Sequence, residues 1–563
     1  MSLGKVLLQR GKITSQQLEQ AQELRKSSER IEQCLSRLGF ISERDFLEIY
    51  GEQLSIPLID LAAIEIDLEL LRTAPSKVVH RDRVIPIDRH NGTIRVATNN
   101  PFNLYAFDEL RMLMGAKIET VLATGEEISR IIKQHFGIGG QTVEAMIDSG
   151  GGVEVVSGND AENADLIEQA QEATVVKLVN EILLEAIRDR ASDIHIEPFD
   201  DDLKIRYRID GVLHATNVPP EIRRFHAAIV SRIKILANLN IAEKRLPQDG
   251  AFKIKAQNRD IDLRVSIIPT SFGNAVVMRI LDKESSLLSL EQLGLMDEAL
   301  EGIQYLIKQP YGIILVTGPT GSGKTTTLYA ALSTIVSDKI KILTIEDPVE
   351  YNLNGIQQVQ IKPHIGLTFA SGLRSFLRHD PDVILVGEIR DHETAEVAIN
   401  ASLTGHLVFS TLHTNDAVTA STRLLDMGVE PFLVSSAVSG ILAQRLVRNI
   451  CKGCREEFTP DPIDVPPDFK LERGEKIFRG KGCRECRHSG YRGRIGIYEL
   501  LLINDKMREM IVQRKSAGEL LVVAREDGLK LMREDGWVKV RKGITTIEEI
   551  VRVTKVDPTS LKK

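Results

Sequence analysis

Apolar positions in residues 1–60 recur at helical spacing: Leu18, Ala21 and Leu24 share one face, and Phe46, Leu47 and Tyr50 share another. Two stretches repeat one theme. Leu7 to Thr14 and Leu35 to Ser42 each run from apolar residues through a glycine, Gly11 or Gly39, to Thr14 or Ser42, which reads as the N-cap of a following helix. Residues 61–137 add strand runs, Val84-Ile85-Pro86-Ile87 and Thr93 to Ala97, between helical patterns, predicting a small α+β subdomain after a helical one. Residues 138–165 contain Gly150-Gly151-Gly152 and few large apolar side chains, which predicts a flexible linker. Across 166–285, a helix from Ala173 to Arg190 precedes alternating strands. Lys204 to Ile209 puts Arg206 and Arg208 opposite Ile205, Tyr207 and Ile209, and Asp210-Gly211 supplies a hairpin turn. A second alternating strand, Ile261 to Ile267, carries Arg264 on its polar face. From 286 to 563, apolar strand runs alternate with helices, the pattern of an α/β domain.

Composition adds little to this picture beyond exclusions. The chain has 563 residues, 42% hydrophobic and 27% charged, and 72 basic residues against 79 acidic ones give a net charge of -7. That balance fits several ordinary globular domains and argues against a nucleic-acid binder with an overall basic surface. No run reaches the roughly 18 apolar residues of a membrane span, and residues 1–11 lack a signal-peptide apolar stretch, so the expectation is a cytoplasmic protein.

The phosphate-binding signal is Gly318-Pro319-Thr320-Gly321-Ser322-Gly323-Lys324-Thr325, followed by Thr326. Gly312 to Thr317 is a buried-strand run before it, and Thr326 to Ile335 is helix-compatible after it. Such a loop turns backbone N–H groups onto phosphate oxygens, with Lys324 reaching the β and γ phosphates and Thr325 offering its hydroxyl to Mg²⁺. Hydrolysis also needs carboxylates to orient water and to serve the metal. Two apolar runs deliver acids at their ends: Ile342 to Ile345 precedes Glu346, Asp347 and Glu350, and Val383 to Val386 precedes Gly387-Glu388-Ile389-Arg390-Asp391. Gly387 stands where an Asp often closes such a strand, so Glu388 takes the metal side. In a third run, Leu407 to Leu412 is bracketed by His406 and His413.

Four of the five cysteines form two close pairs, Cys451/Cys454 and Cys483/Cys486, leaving Cys34 alone. Four thiolates from two Cys-x-x-Cys knuckles suit a closed, tetrahedral Zn²⁺ site of structural kind, within a module at about 448–495. Disulfides are the competing reading, disfavoured in a reducing compartment. Between Lys476 and Arg494 lie seven Lys or Arg residues against one Glu. Three readings stand: a solvated module surface, a patch for anionic lipid or an acidic partner, and a nucleic-acid contact, the last weakened by the lack of interleaved aromatics.

Taken in order, the phosphate loop, the stretch Ile345 to Glu350, the stretch Gly387 to Asp391 and the segment His406 to His413 resemble the Walker A, Asp box, Walker B and His box of the secretion ATPase superfamily. The whole chain resembles its type II secretion and type IV pilus assembly branch, and the tetracysteine insertion, which retraction-type members generally lack, agrees. The resemblance implies a RecA-like P-loop ATPase domain, a preceding PAS-like α+β domain, a zinc-bound insertion and an N-terminal α+β domain. It implies a hexameric motor using ATP and Mg²⁺, peripheral at the inner membrane, acting on a platform protein there. Glu350 would be the general base, Glu388 would serve magnesium and water, and His406 and His413 would sense the nucleotide. Ser192 to Pro198, Arg206 to Gly211 and Lys244 to Gly250 resemble the family's second N-terminal domain, which supplies arginine fingers. Arg264 and Arg279 are the expected pair, with Arg208 and Arg245 behind them.

The N-terminal repeat also resembles a domain that binds cyclic di-GMP in some assembly ATPases, through an Arg-Leu-Gly start and a later Gln in each repeat. Here the first repeat begins Ser2-Leu3-Gly4 with Arg25 near the Gln position, and the second begins Arg30-Ile31-Glu32 and keeps Gln53. The expectation is therefore a scaffold-docking helical domain, with a cyclic di-GMP module as the alternative. For the whole chain, the alternative from another class is a nucleic-acid translocase with a zinc module.

Overall fold

The computed structural model describes residues 3–25, 30–61, 63–64, 66–90, 92–136, 173–256, 259–282, 288–471 and 475–555. The chain divides into two compact units, Met1–Leu281 and Asp282–Lys563. The stretch expected as a linker, 138–165, lies outside the described residues.

The first unit starts with helices Leu3–Gln9, Ser15–Glu23, Ile31–Arg37 and Glu43–Leu54, packed around Leu7, Ala21, Leu35 and Leu47. The repeated theme is visible in the backbone. Thr14 and Ser42 each accept an N–H three residues on and are bonded in return by Gln17 and Asp45, while Gly11 and Gly39 take left-handed φ values of 66° and 75°. Ala21 is buried as its periodicity predicts, whereas Leu24, at the helix end, is exposed. Strands β1 (Val84–His90), β2 (Thr93–Thr98) and β3 (Lys117–Leu122) form a mixed sheet in that order.

The second half of this unit lays helix Ala173–Arg188 against a six-stranded sheet. Its strands are β4 (Asp193–Pro198), β5 (Leu203–Ile209), β6 (Val212–Ala215), β7 (Gln248–Ala256), β8 (Arg259–Thr270) and β9 (Gly273–Asp282), in the order β6-β5-β4-β9-β8-β7. Val175, Leu178, Val179 and Ile182 of the helix pack on Ile194, Ile205, Leu263 and Val276. Asp210 and Gly211 both have positive φ, 48° and 86°, which gives the two-residue turn between β5 and β6 the twist that a hairpin requires.

The second unit is built on a seven-stranded sheet. Strands β10 (Gly312–Thr317), β11 (Ile342–Glu346), β12 (Gln357–Gln360), β13 (Val383–Val386), β14 (Leu407–Leu412) and β15 (Val438–Ile450) are parallel neighbours, and β18 (Tyr491–Leu502) is antiparallel to β15. The order is β12-β11-β13-β14-β10-β15-β18. Strands β10, β11, β13 and β14 are buried along their whole length, as continuous apolar runs covered on both faces must be. Because β14 stands between the strand leading to the phosphate loop and β13, the arrangement is RecA-like. A small antiparallel pair, β16 (Arg455–Phe458) with β17 (Ile477–Gly480), lies in the excursion between β15 and β18. Helices Asp505–Val512, Ala517–Glu526, Met532–Arg541 and Ile547–Val553 complete the unit. Among the described residues, no helix is long and apolar enough to cross a membrane.

Candidate nucleotide site and metal centre

The glycine-rich loop leaves the C-terminal end of β10 and enters helix Lys324–Ile335, two residues earlier than the sequence pattern predicts. Gly318 has φ 149°, and a Cβ there would fall 2.5 Å from the Gln444 carbonyl oxygen, so only glycine fits. Pro319, Thr320 and Gly321 are exposed at the rim, Ser322 is buried, and Gly323 is the N-cap. The N–H groups of Lys324, Thr325 and Thr326 have no acceptor within their own helix, which makes this terminus a ready anion site. Lys324 Nζ donates to the carbonyls of Gly318 (2.9 Å) and Pro319 (3.2 Å). Burial pushes the Lys324 pKa down, and the Glu388 carboxylate pulls it back up.

Glu388 follows β13 and is only 9% exposed. Its carboxylate pairs with Arg390 Nη2 (2.5 Å) and with His413 Nε2 (3.1 Å). The preceding glycine has a physical reason: Gly387 N–H donates to Ile345 O, and a Cβ at 387 would lie 3.3 Å from the Glu346 backbone. The strand ends are close-packed here, and a Cβ would need its neighbours to give by a few tenths of an ångström. Glu346 itself is absorbed into the core, accepting from Tyr329, Thr344 and Gln358. Glu350, half-buried on the loop after β11, lies with Glu346 close enough to Tyr351 to matter: burial, then these two carboxylates, push that phenol up to about 12.

The two histidines part company. Strand β14 runs parallel to β10 in the register Gly312↔Leu407 to Thr317↔Leu412, so His413 emerges beside the phosphate loop. His406 sits at the other end, where its carbonyl accepts from Gly312 N–H and its Nδ1 lies 2.8 Å from Ala401 O. At about 3.3 Å per residue the two are roughly 20 Å apart. Within one chain a six-residue strand therefore separates the pair, and of the two only His413 emerges at the end of the sheet that carries the phosphate loop.

Arg264 on β8 and Arg279 on β9 lie in the first unit. Arg279 Nε donates to Asp193 Oδ1 (2.9 Å), and Arg208 Nε stands 3.7 Å from the other oxygen of that carboxylate. Arg264 is half-buried across from Ala251, and Arg245 is exposed and paired with Glu243.

Sequence reasoning missed Thr317, Gln444 and Arg445. Thr317 Oγ1 accepts from Thr414 N–H (2.9 Å), tying the end of β10 to the residue after His413. Gln444, 1% exposed on β15, donates through Nε2 to Ser322 O (2.7 Å) and braces the phosphate loop from behind. Arg445 Nη2 donates to Asn415 Oδ1 (2.8 Å). The available signal was Gln444 and Arg445 interrupting the otherwise apolar run Ile441 to Val447.

The four cysteines of the two knuckles converge, with ligand atoms all within 4.8 Å of one another. Three Sγ···Sγ separations are 3.7 Å: Cys451 to Cys483, Cys454 to Cys486 and Cys483 to Cys486. A tetrahedral ion bound at about 2.3 Å spaces its sulfurs by roughly 3.8 Å, whereas a disulfide needs about 2.05 Å. Backbone N–H groups of Gly482 and Cys483 donate to Cys454 and Cys486 sulfurs, as they do around thiolates. Among the basic residues here, Lys476, Arg479 and Arg492 pair with Glu457, Glu456 and Glu485, which supports the reading of a solvated module surface.

The model of the type II/IV secretion system protein family matches residues 168–552, and that of the MshEN domain matches residues 54–142. The type IV pilus assembly ATPase PilB of Myxococcus xanthus is 44% identical over 99% of both chains. The type II secretion system protein E of Xanthomonas campestris is 42% identical over 98% of this chain and 97% of its own. Among solved structures, the pilus retraction motor PilT with bound ADP aligns with 28% identity and a TM-score of 0.47, over 68% of this chain and 98% of that one. With a family model spanning well over half its length, and relatives matched from end to end, this chain belongs to the type II/IV secretion system protein family and is one of its P-loop ATPases.

Proposed function

We propose that the chain is a homohexameric, Mg²⁺-dependent ATP hydrolase that powers assembly of a type IV pilus or a type II secretion pseudopilus. It would work peripherally at the cytoplasmic face of the inner membrane, pushing on a platform protein and docking on a cytoplasmic scaffold protein through its N-terminal domain. The observation that carries this reading is the delivery of the phosphate loop, Glu388 and His413 by three adjacent parallel strands, β10, β13 and β14, at one end of the sheet. Near-full-length identity to a PilB and to a secretion protein E supports the cargo class.

In this reading Gly318 to Thr326 hold the triphosphate and Lys324 leaves its carbonyl partners for the β and γ phosphates. Thr325 and, through water, Glu388 would hold Mg²⁺, which neutralises phosphate charge when bound. Glu350 takes the proton of the attacking water, His413 reads the state of the γ-phosphate through Glu388, and Arg264 and Arg279 neutralise charge developing in transfer. Cys451, Cys454, Cys483 and Cys486 would hold Zn²⁺, a structural ion that closes the module. Hydrolysis then alters how the arginine-bearing unit and the ATPase unit swivel against each other, which is the motor stroke.

The translocase alternative loses support where Lys476, Arg479 and Arg492 are spent on glutamates. Cyclic di-GMP control of the N-terminal domain is a lesser reading, given Ser2 and Glu32 in the ligand-pattern positions. The test is steady-state turnover of Lys324→Ala: loss of ATPase activity with an unchanged melting profile is expected, and wild-type turnover would eliminate the site.

A further inference from the structure

Glu499, in the middle of β18 and opposite Ala443 of β15, is 4% exposed. Its two oxygens accept from two different helices: Ala417 N–H to Oε1 (2.9 Å) and Met532 N–H to Oε2 (3.3 Å). Each donor is the first residue of its helix, Ala417–Asp426 or Met532–Arg541. First-turn N–H groups lack intrahelical acceptors and mark the positive end of the helix dipole, so one buried carboxylate serves both ends. The first of these helices begins four residues after His413. Between them, Thr414 is tied to Thr317 and Asn415 to Arg445, so the loop is held at three points, with Glu499 at its far end.

We propose that Glu499 is a positioning residue for ATP turnover: by holding Ala417 it fixes the His413 loop, and with it the His413–Glu388 contact, against the C-terminal helices. This rests on the reading that His413 and Glu388 serve the nucleotide. Burial, opposed by the Ala417 and Met532 N–H groups and reinforced by the nearby carboxylates of Asp416 and Glu534, pushes the Glu499 pKa up to about 7. Directly across the ladder on β15 stands Ala443, with Arg445 two residues further along the same strand. Protonation puts an O–H where an acceptor lone pair was, loosening one of the two ties, so wild-type turnover should fall as pH drops through about 7.

The experiment measures ATPase kinetics of the full chain between about pH 6 and pH 9, with melting temperatures alongside. Glu499→Gln turns an amide N–H₂ toward one N–H donor. It should lower kcat about tenfold or more while leaving KM for ATP within about twofold, and it should erase the acid limb near neutrality. Ala417→Pro removes only the N–H that Glu499 accepts, at a helix position where proline is tolerated, and should reproduce the kcat loss. Met532→Pro removes the other N–H and should lower the melting temperature with kcat within about twofold of wild type. Wild-type kcat and pH profile in Glu499→Gln and Ala417→Pro, or equal effects of the two proline variants, would overturn the proposal. Turnover surviving in Lys324→Ala would instead sink the nucleotide-site reading on which it rests.

Discussion

Replacing Gln444 by leucine tests whether the phosphate loop is held in shape by the strand behind it. Gln444 reaches Ser322 O at 2.7 Å from a position 1% exposed, so leucine fills the volume and leaves a buried carbonyl without its donor. Such a loss costs about 1–3 kcal/mol. The loop can relieve the cost by rotating the Ser322–Gly323 peptide, which turns a backbone N–H away from the phosphates. If the whole cost falls on the binding-ready loop, ATP affinity drops by about 5- to 150-fold. Gln444→Glu keeps the shape but sets a carboxylate against the carbonyl, and should lose more. The assay is titration of each variant with a slowly hydrolysed ATP analogue, with melting temperatures taken without nucleotide. Nucleotide affinity within about twofold of wild type in both variants, whatever their melting temperatures, would show that Gln444 packs the core and does not brace the loop.

The metal centre should purify with one zinc ion per chain, and Cys483→Ser should lose it, read by elemental analysis after gel filtration. A metal-free wild-type chain with a Cys483–Cys486 disulfide would contradict the geometry. Glu549, 1% exposed, carries a second expectation. Burial alone would raise its pKa, but ion pairs with Arg552 and Arg448 more than reverse this and hold it at about 2. A depressed carboxylate stabilises the fold fully above its unfolded pKa near 4.5 and loses that contribution as pH falls through about 2. The shift of about 2.5 corresponds to roughly 3 kcal/mol, so Glu549→Gln should lower the urea midpoint of the ATPase unit at neutral pH and converge with wild type near pH 2. A parallel offset at every pH would refute the charge argument.

How legible the molecule is from its residues follows the sequence distance over which each feature is made. The N-caps at Thr14 and Ser42, the Asp210-Gly211 turn, the glycine-rich loop and the two knuckles are each written within a few residues, because turn geometry and helix capping are local physics. The knuckles are local even though their meeting is not: 28 residues separate Cys454 from Cys483, and the spacing inside each pair carries the chemistry. Gln444 and Glu499 act on partners 122 and 82 residues away, so no window of periodicity contains both ends of either contact. Their only trace is a polar side chain in an apolar run, a pattern shared by any residue that finds a partner across a sheet.

His406 and His413 show a different loss. They look equivalent because they flank one strand symmetrically, yet a strand has direction, and in a parallel sheet ligands collect at the C-terminal ends. Leu407 to Leu412 lies alongside Gly312 to Thr317, and that register alone decides that the later histidine meets the loop while the earlier one meets Ala401. The same rule sorts the acids. Glu346 is the last residue of its strand, still inside the sheet, and is consumed by Tyr329, Thr344 and Gln358; Glu388 stands two residues beyond Val386, past the sheet edge, where it faces Arg390 and His413. Whether a carboxylate is core or site is thus a matter of one or two residues relative to the end of a strand. Gly387 is the residue between, its N–H bonded to Ile345 O where β13 and β11 lie side by side.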